Sequence, residues 1–183
     1  MSKIIAIMLL LCCGMMLFGC ADDNGRRKAE QQKTIVVTDS VGRKVELPYP
    51  LERVAVCNVY NAELITAVGA IDKIVGVDNY IFKDQSGFKN RFNETQVFGI
   101  SQNAMNYEKL AELSPQAVII TGEGTWRDAQ EMLDRFGIKV IVINSYYTDQ
   151  FADNCRLIGR IFGREEQAEE LVNYFNDKLA YIQ

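Results

Sequence analysis

Between Arg53 and Val77 the chain alternates a short valine-rich run, a helical stripe and a second valine-rich run. Arg53–Cys57 has the apolar pattern of a strand buried on both faces. Asn58–Asn61 break that run, and either Asn58 or Asn61 is placed to cap the following helix. Leu64, Ile65, Val68 and Ile71 recur at helical spacing, with Gly69 where a helix would stop. After a turn at Ala70–Lys73, Ile74–Val77 reads as a second buried strand. Two buried strands joined by one helix predict a right-handed parallel crossover. In open sheets of this kind, ligands sit beyond the carboxyl ends of the strands, here Asn58–Asn61 and Asp78–Phe82.

The same pattern extends in both directions. Thr34–Asp39 and Arg43–Leu47 are β-branched or alternating around Ser40-Val41-Gly42, a hairpin signal, and Pro48 and Pro50 end the ribbon. Lys83–Gln96 is polar and irregular, with Phe82, Phe88 and Phe92 along it, and predicts a long loop or short helix over the sheet's edge. Val97–Phe98 predicts a short strand, Gly99–Asn106 a polar loop, and Tyr107–Leu113 a short helix capped by Asn106. Ala117–Thr121 and Lys139–Ile143 are further buried strands. Between them, Trp126–Phe136 is amphipathic through Ala129, Met132, Leu133 and Phe136, with Gly137 as its stop. Asp149–Phe162 predicts one helix and Arg164–Gln183 a longer one, striped by Ala168, Leu171, Val172, Phe175, Leu179 and Ile182. The predicted fold is α/β: a three-layer sandwich with a mainly parallel sheet and an N-terminal β-hairpin, ending in a long helix.

Composition narrows the chemistry. The 183 residues carry a net charge of −4 with no basic cluster beyond Arg26–Lys28, which disfavours nucleic acid as a partner. There is no histidine, so Ser-His-Asp and Cys-His catalysis are excluded, and the usual nitrogen ligand for zinc is missing. Asp39 and Asp78 read as turn and capping residues rather than a catalytic pair. Gly122-Glu123-Gly124 has Arg127 at the third glycine position of a dinucleotide fingerprint, and no GxxxxGK[ST] phosphate loop exists. Cys57 and Cys155 sit in apolar segments; they could pair in an oxidising compartment, but two inert buried thiols fit better.

The N-terminus reads as a targeting segment. Lys3 precedes an apolar run of about fifteen residues, Ile4–Phe18, short of the roughly twenty that a span needs. It ends in Leu17-Phe18-Gly19-Cys20, which resembles the lipobox of bacterial lipoproteins, in which the cysteine is acylated and becomes the first mature residue. On this reading residues 1–19 are a signal peptide and residues 20–33 a flexible tether lipid-anchored at Cys20.

Three blocks carry a wider resemblance: Thr38–Val56 (TDSVGRKVELPYPLERVAV), Asn61–Val77 (NAELITAVGAIDKIVGV) and Asn106–Ile119 (NYEKLAELSPQAVI). They resemble the periplasmic-binding-protein folds that serve bacterial ABC importers for iron-siderophores, haem and corrinoids. The family pattern appears as Thr38-Asp39-x-x-Gly42-Arg43, Arg53-Val54, Glu63-Leu64, Val75-Gly76-Val77 and Asn106-x-Glu108, then Leu113-x-Pro115 before a strand. Gln116 stands where the family commonly has aspartate. Members have two α/β lobes joined by a long helix, with ligand bound between them. The resemblance thus implies that residues 34–162 are the N-terminal lobe and residues 163–183 the start of the connecting helix, with the second lobe absent from this chain. It implies a solute-binding component rather than an enzyme, extracytoplasmic at the cell membrane. Its partners would be the permease subunits of an ABC transporter, with Glu108 gripping arginines of the membrane subunit, whereas the residues alone favour a Glu108 that stabilises its own helix N-terminus.

Resemblance and strand ends point to one place for ligand. The loops there carry Asn58, Tyr60 and Asn61; Tyr80 and Phe82; Gln102, Asn103 and Met105; Glu123, Trp126 and Arg127; and Tyr146 and Tyr147. Any one aromatic fits packing on a neighbouring helix about as well, and it is the group that carries the reading. An aromatic rim with scattered polar groups suits a large flat or chelated ligand; Arg127 could pair with its negative charge, although taken alone Arg127 reads rather as a solvated helix residue. No resident cofactor is expected; the ligand would be a siderophore-iron complex, haem or corrinoid. Two other readings stand beside this one: a truncated or split lipoprotein acting only by docking, and a Rossmann-like enzyme, which the missing histidine and phosphate loop disfavour.

Overall fold

The structure is a computed structural model, and it describes residues 33–182. The expected signal peptide, Cys20 and all of the tether but Lys33 lie outside the described residues, as does Gln183.

Strands β1 (Thr34–Thr38) and β2 (Lys44–Pro48) pair antiparallel, from Thr34 opposite Pro48 to Thr38 opposite Lys44. Gly42, at φ 79°, closes the turn between them. Asp39 locks this hairpin to the rest of the molecule. Its buried carboxylate accepts from the backbone of Val41, Arg43 and Val142 and pairs with the Arg43 guanidinium at 2.6 Å.

The second sheet is parallel, with strands β3 (Val54–Val56), β4 (Ile74–Val77), β5 (Ala117–Ile120) and β6 (Lys139–Val142) in the order β4-β3-β5-β6. Helices α1 (Val59–Ala67), α2 (Asn79–Lys83), α3 (Tyr107–Leu113), α4 (Trp126–Asp134), α5 (Phe151–Phe162) and α6 (Glu165–Ile182) complete the fold. Because successive strand residues point to opposite faces, the strands divide between two cores. Val54, Val56, Ile119 and Ile141 join α1, α5 and α6 on one face. Ala55, Cys57, Val118, Ile120, Val140 and Val142 join Leu110 of α3 and Leu133 of α4 on the other. This is the expected three-layer α/β arrangement. Cys57 and Cys155 are both free and lie in different cores, and burial pushes both thiols up, Cys155 to about 12. Gly76 of β4 has no room for a side chain: a Cβ there would lie 2.7 Å from the Leu113 side chain, where α3 crosses the sheet.

Several elements differ from their sequence-based bounds. α1 ends at Ala67, because Gly69 (φ 77°) reverses the chain, with Gly69 N donating to Thr66 O and Ala70 N to Ile65 O. Ile71 therefore falls in a separate 3-10 turn rather than on the helix stripe. The same motif at Gly137 ends α4 at Asp134; Phe136 turns outward, 44% exposed, and Ile138 takes the core position instead. The expected strand at Val97–Phe98 reduces to a single bridge from Val97 to Val77, since Asn106 N donates to Phe98 O and folds the loop back on itself. Asn79–Lys83 is helical, capped by Asp78, and the loop beyond it is pinned by Phe88 and Phe92 buried in the first core. On α6, Ala168 and Val172 are buried, Phe175 stacks on Phe151 at 4.1 Å between ring centroids, and Leu179 is exposed.

Candidate binding cleft

The chain leaves β3 toward β4 on one side of the sheet and leaves β5 toward β6 on the other. The strand order reverses between β3 and β5, and the loops at their carboxyl ends separate there. A cleft of about 550 Å³ opens at that edge, within the 300–1,000 Å³ range of small-molecule sites. Its lining includes Asn58, Tyr60, Tyr80, Gln102 and Glu123 from the residues singled out in the sequence.

Asn58 begins one wall. It holds φ 76°, ψ 126°, a backbone region that side chains other than glycine's rarely enter. Three contacts keep it there: Asn58 N donates to Asp78 Oδ2 at 3.1 Å, its Oδ1 accepts from Tyr60 N at 3.0 Å, and its carbonyl accepts from Ala62 N. Asn58 is thus the cap of α1, and the capping turn sets Tyr60, 55% exposed, at the rim. Asp78 closes the floor, 2% exposed, accepting also from Ile81 N at 3.0 Å. Burial raises its carboxyl above the ordinary 3.8, and the backbone donors of Ile81, Asn58 and Tyr80 oppose that rise. The α2 turn that Asp78 caps presents Tyr80, 63% exposed.

Gln102 ties the opposite wall together. Its Oε1 accepts from Thr121 N at 2.9 Å and from Thr121 Oγ1 at 2.8 Å, while its Nε2 donates to Glu123 O. Asn103 lies behind it, accepting from Thr125 Oγ1 at 3.2 Å. Tyr146 donates its hydroxyl to Glu123 Oε1 at 3.0 Å, and Tyr147 packs on it at 4.3 Å between ring centroids. Burial, then Tyr147 and the Glu123 carboxylate, push the Tyr146 phenol up, so it stays a donor.

The structure sets four of the other named residues in packing or pinning roles away from this cleft, and Arg127 on a separate surface. Asn61 is fully buried, donating to Cys57 O and accepting from Ser145 Oγ at 2.6 Å. Phe82 and Met105 pack on the first and second cores respectively. Trp126 is 9% exposed in the second core, with the guanidinium carbons of Arg43 and Arg127 at 4.2 and 4.1 Å from its ring centroid. Conversely, Glu63, Ser86, Ser101 and Thr121 line the cleft without having been named for it, and Asp78, read as a cap at the second strand end, lines it too. Glu63 lies within α1 at i+3 from Tyr60 on the same face, so helical spacing pointed to it.

Among the described residues, no group of three Cys, Asp or Glu side chains is placed to hold a metal ion, and no helix is long and apolar enough to cross a membrane. Glu108 is exposed in the first turn of α3, where Asn106 caps the helix through Lys109 N at 2.9 Å.

No curated protein matches the chain. Solved structures do. A periplasmic solute binding protein from Veillonella parvula is 28% identical with a TM-score of 0.68, over 81% of this chain and 47% of that one. The petrobactin-binding protein YclQ of Bacillus subtilis is 17% identical, TM-score 0.67, over 82% and 52%. Staphylococcus aureus SirA, solved with staphyloferrin B, is 21% identical, TM-score 0.65, over 80% and 48%. The latter two likenesses are of fold, and the chain spans about half the length of each of these proteins. The model of the family described as periplasmic binding protein matches residues 54–183, most of the sequence, and the chain belongs to that family.

Proposed function

We propose that this chain supplies a solute-binding lobe to an ABC import system for an iron complex, as siderophore or haem, or for a corrinoid. The observation that carries this reading is the cleft at the sheet's switch point. Two exposed tyrosines, Tyr60 and Tyr80, face a polar wall held in place by Gln102 and Glu123. Such a site offers flat apolar surface for a chelate and polar groups to orient it. The structural relatives named for petrobactin binding and solved with staphyloferrin B support the iron-complex class, as does the haem-binding protein HmuT, which shares the fold at 22% identity and a TM-score of 0.61. Titration of the protein with a ferric siderophore panel, haemin and cobalamin tests the reading: at least one should bind stoichiometrically, and binding by none overturns it.

Membrane attachment through Cys20 and docking through Glu108 complete the proposal. Cys20→Ser should release the protein from the membrane fraction; full retention would contradict the anchor. Glu108 sits where a helix dipole favours a carboxylate and where it faces solvent. Glu108→Arg should weaken association with the cognate permease several-fold or more while leaving the circular dichroism unchanged. Equal docking by a folded variant would make Glu108 a helix residue only.

A further inference from the structure

The charge of the cleft distinguishes among the ligands that the proposed function admits. Three of its lining residues, Glu63, Asp78 and Glu123, are carboxylic acids, and none is Lys or Arg. Among the described residues no Lys or Arg forms an ion pair with any of these three. Arg127, the one cation among the residues named for the site, lies on Trp126 and borders a separate surface with Gln130, Glu131 and Asp134. Glu63 and Glu123 are exposed, Glu63 on α1 and Glu123 in the β5–α4 loop, so they flank the space above the switch point from two sides. Tyr60 and Tyr80 add two exposed ring faces, which attract cations and repel anions at close range.

Resting on the solute-binding reading above, we infer that this lobe selects metal chelates carrying net positive charge. A polyanionic ferric complex would lose its hydration here beside three carboxylic acids and two ring faces, with neutral groups such as Ser86 and Ser101 but no cation in the lining to offset the lost water. A cationic chelate would place its charged arm between Glu63 and Glu123 and its apolar body on the tyrosines. The preference is electrostatic at a partly open site, so salt should screen it.

The test uses three ferric complexes at low ionic strength: ferrioxamine B with its free terminal amine, the same complex N-acetylated, and a ferric tricatecholate. Acetylation removes one positive charge with little change of shape. The free-amine complex should bind about tenfold more tightly than its acetylated twin, and the tricatecholate most weakly. The gap should close in Glu63→Gln/Glu123→Gln protein and shrink in molar salt. Equal or tighter binding of the acetylated or catecholate complex, or an unchanged gap in the double variant, overturns the inference while the solute-binding reading stands. Binding by none of the three also overturns it, and parallel titrations with haemin and cobalamin then decide whether the solute-binding reading falls too.

Discussion

Asp78 shows how a single residue joins the fold to the site. Its oxygens hold the strained backbone of Asn58 on one side and the α2 cap on the other, and the same carboxyl forms the cleft floor. Burial raises its pKa above the ordinary 3.8, so in the pH range between those values the folded protein binds a proton that the unfolded chain releases. Its contribution to stability is therefore greatest in acid and is lost as pH rises through the folded value. The unfolding free energy of wild type relative to Asp78→Asn should increase as pH falls from about 7 toward about 4. A flat or opposite trend in urea unfolding across that range would contradict the burial. Sequence alone made Asp78 a cap, which it is. Its place at the end of β4 also put it on the ligand side of the sheet, but nothing in its neighbours showed that it would hold Asn58 N at the end of β3. Asp39 was likewise legible as a turn residue, but its reach to Val142 N, 103 positions away, depends on tertiary placement.

At the scale of elements, the hydrophobic pattern located every strand of the parallel sheet and all but one of the helices. The exception, α2, is short and is held by its cap and by Ile81 alone among its buried residues. Helix ends are less legible in the pattern, because two left-handed glycines, Gly69 and Gly137, decide which flanking apolar residue turns inward. That is why Phe136 is exposed and Ile138 buried. The cleft residues Asn58, Tyr60, Tyr80 and Glu123 were legible because each follows a strand closely. Trp126 and Arg127 come after a further turn at Gly124, φ 89°, and it is the turn that directs Trp126 into the core. Gly159 governs a different junction, the crossing of α5 and α6. A Cβ there would lie 2.5 Å from Ala168 Cβ and 2.9 Å from Arg164 O. Alanine is the better helix former by about 1 kcal/mol, yet Gly159→Ala should destabilise the protein by about 1–2 kcal/mol because the overpacking outweighs propensity. A stabilised variant in chemical denaturation would mean that the two helices separate more easily than this packing implies.

For the whole molecule, the carboxyl end of the sheet between β3 and β5 is the proposed solute site. The chain spans about half the length of its solved relatives. A cleft of this openness covers a ligand from one side, so affinity should be modest, about micromolar or roughly −8 kcal/mol. The tyrosines should supply a large share of it. Losing both ring faces should cost about 2 kcal/mol, or roughly thirtyfold in Kd. The most direct measurement is calorimetric titration of wild type and Tyr60→Ala/Tyr80→Ala with whichever complex of the panel binds, the fold of each being checked by circular dichroism. A roughly thirtyfold weaker Kd in a folded double variant is the predicted result. An unchanged Kd would place the ligand elsewhere on the molecule and contradict the account.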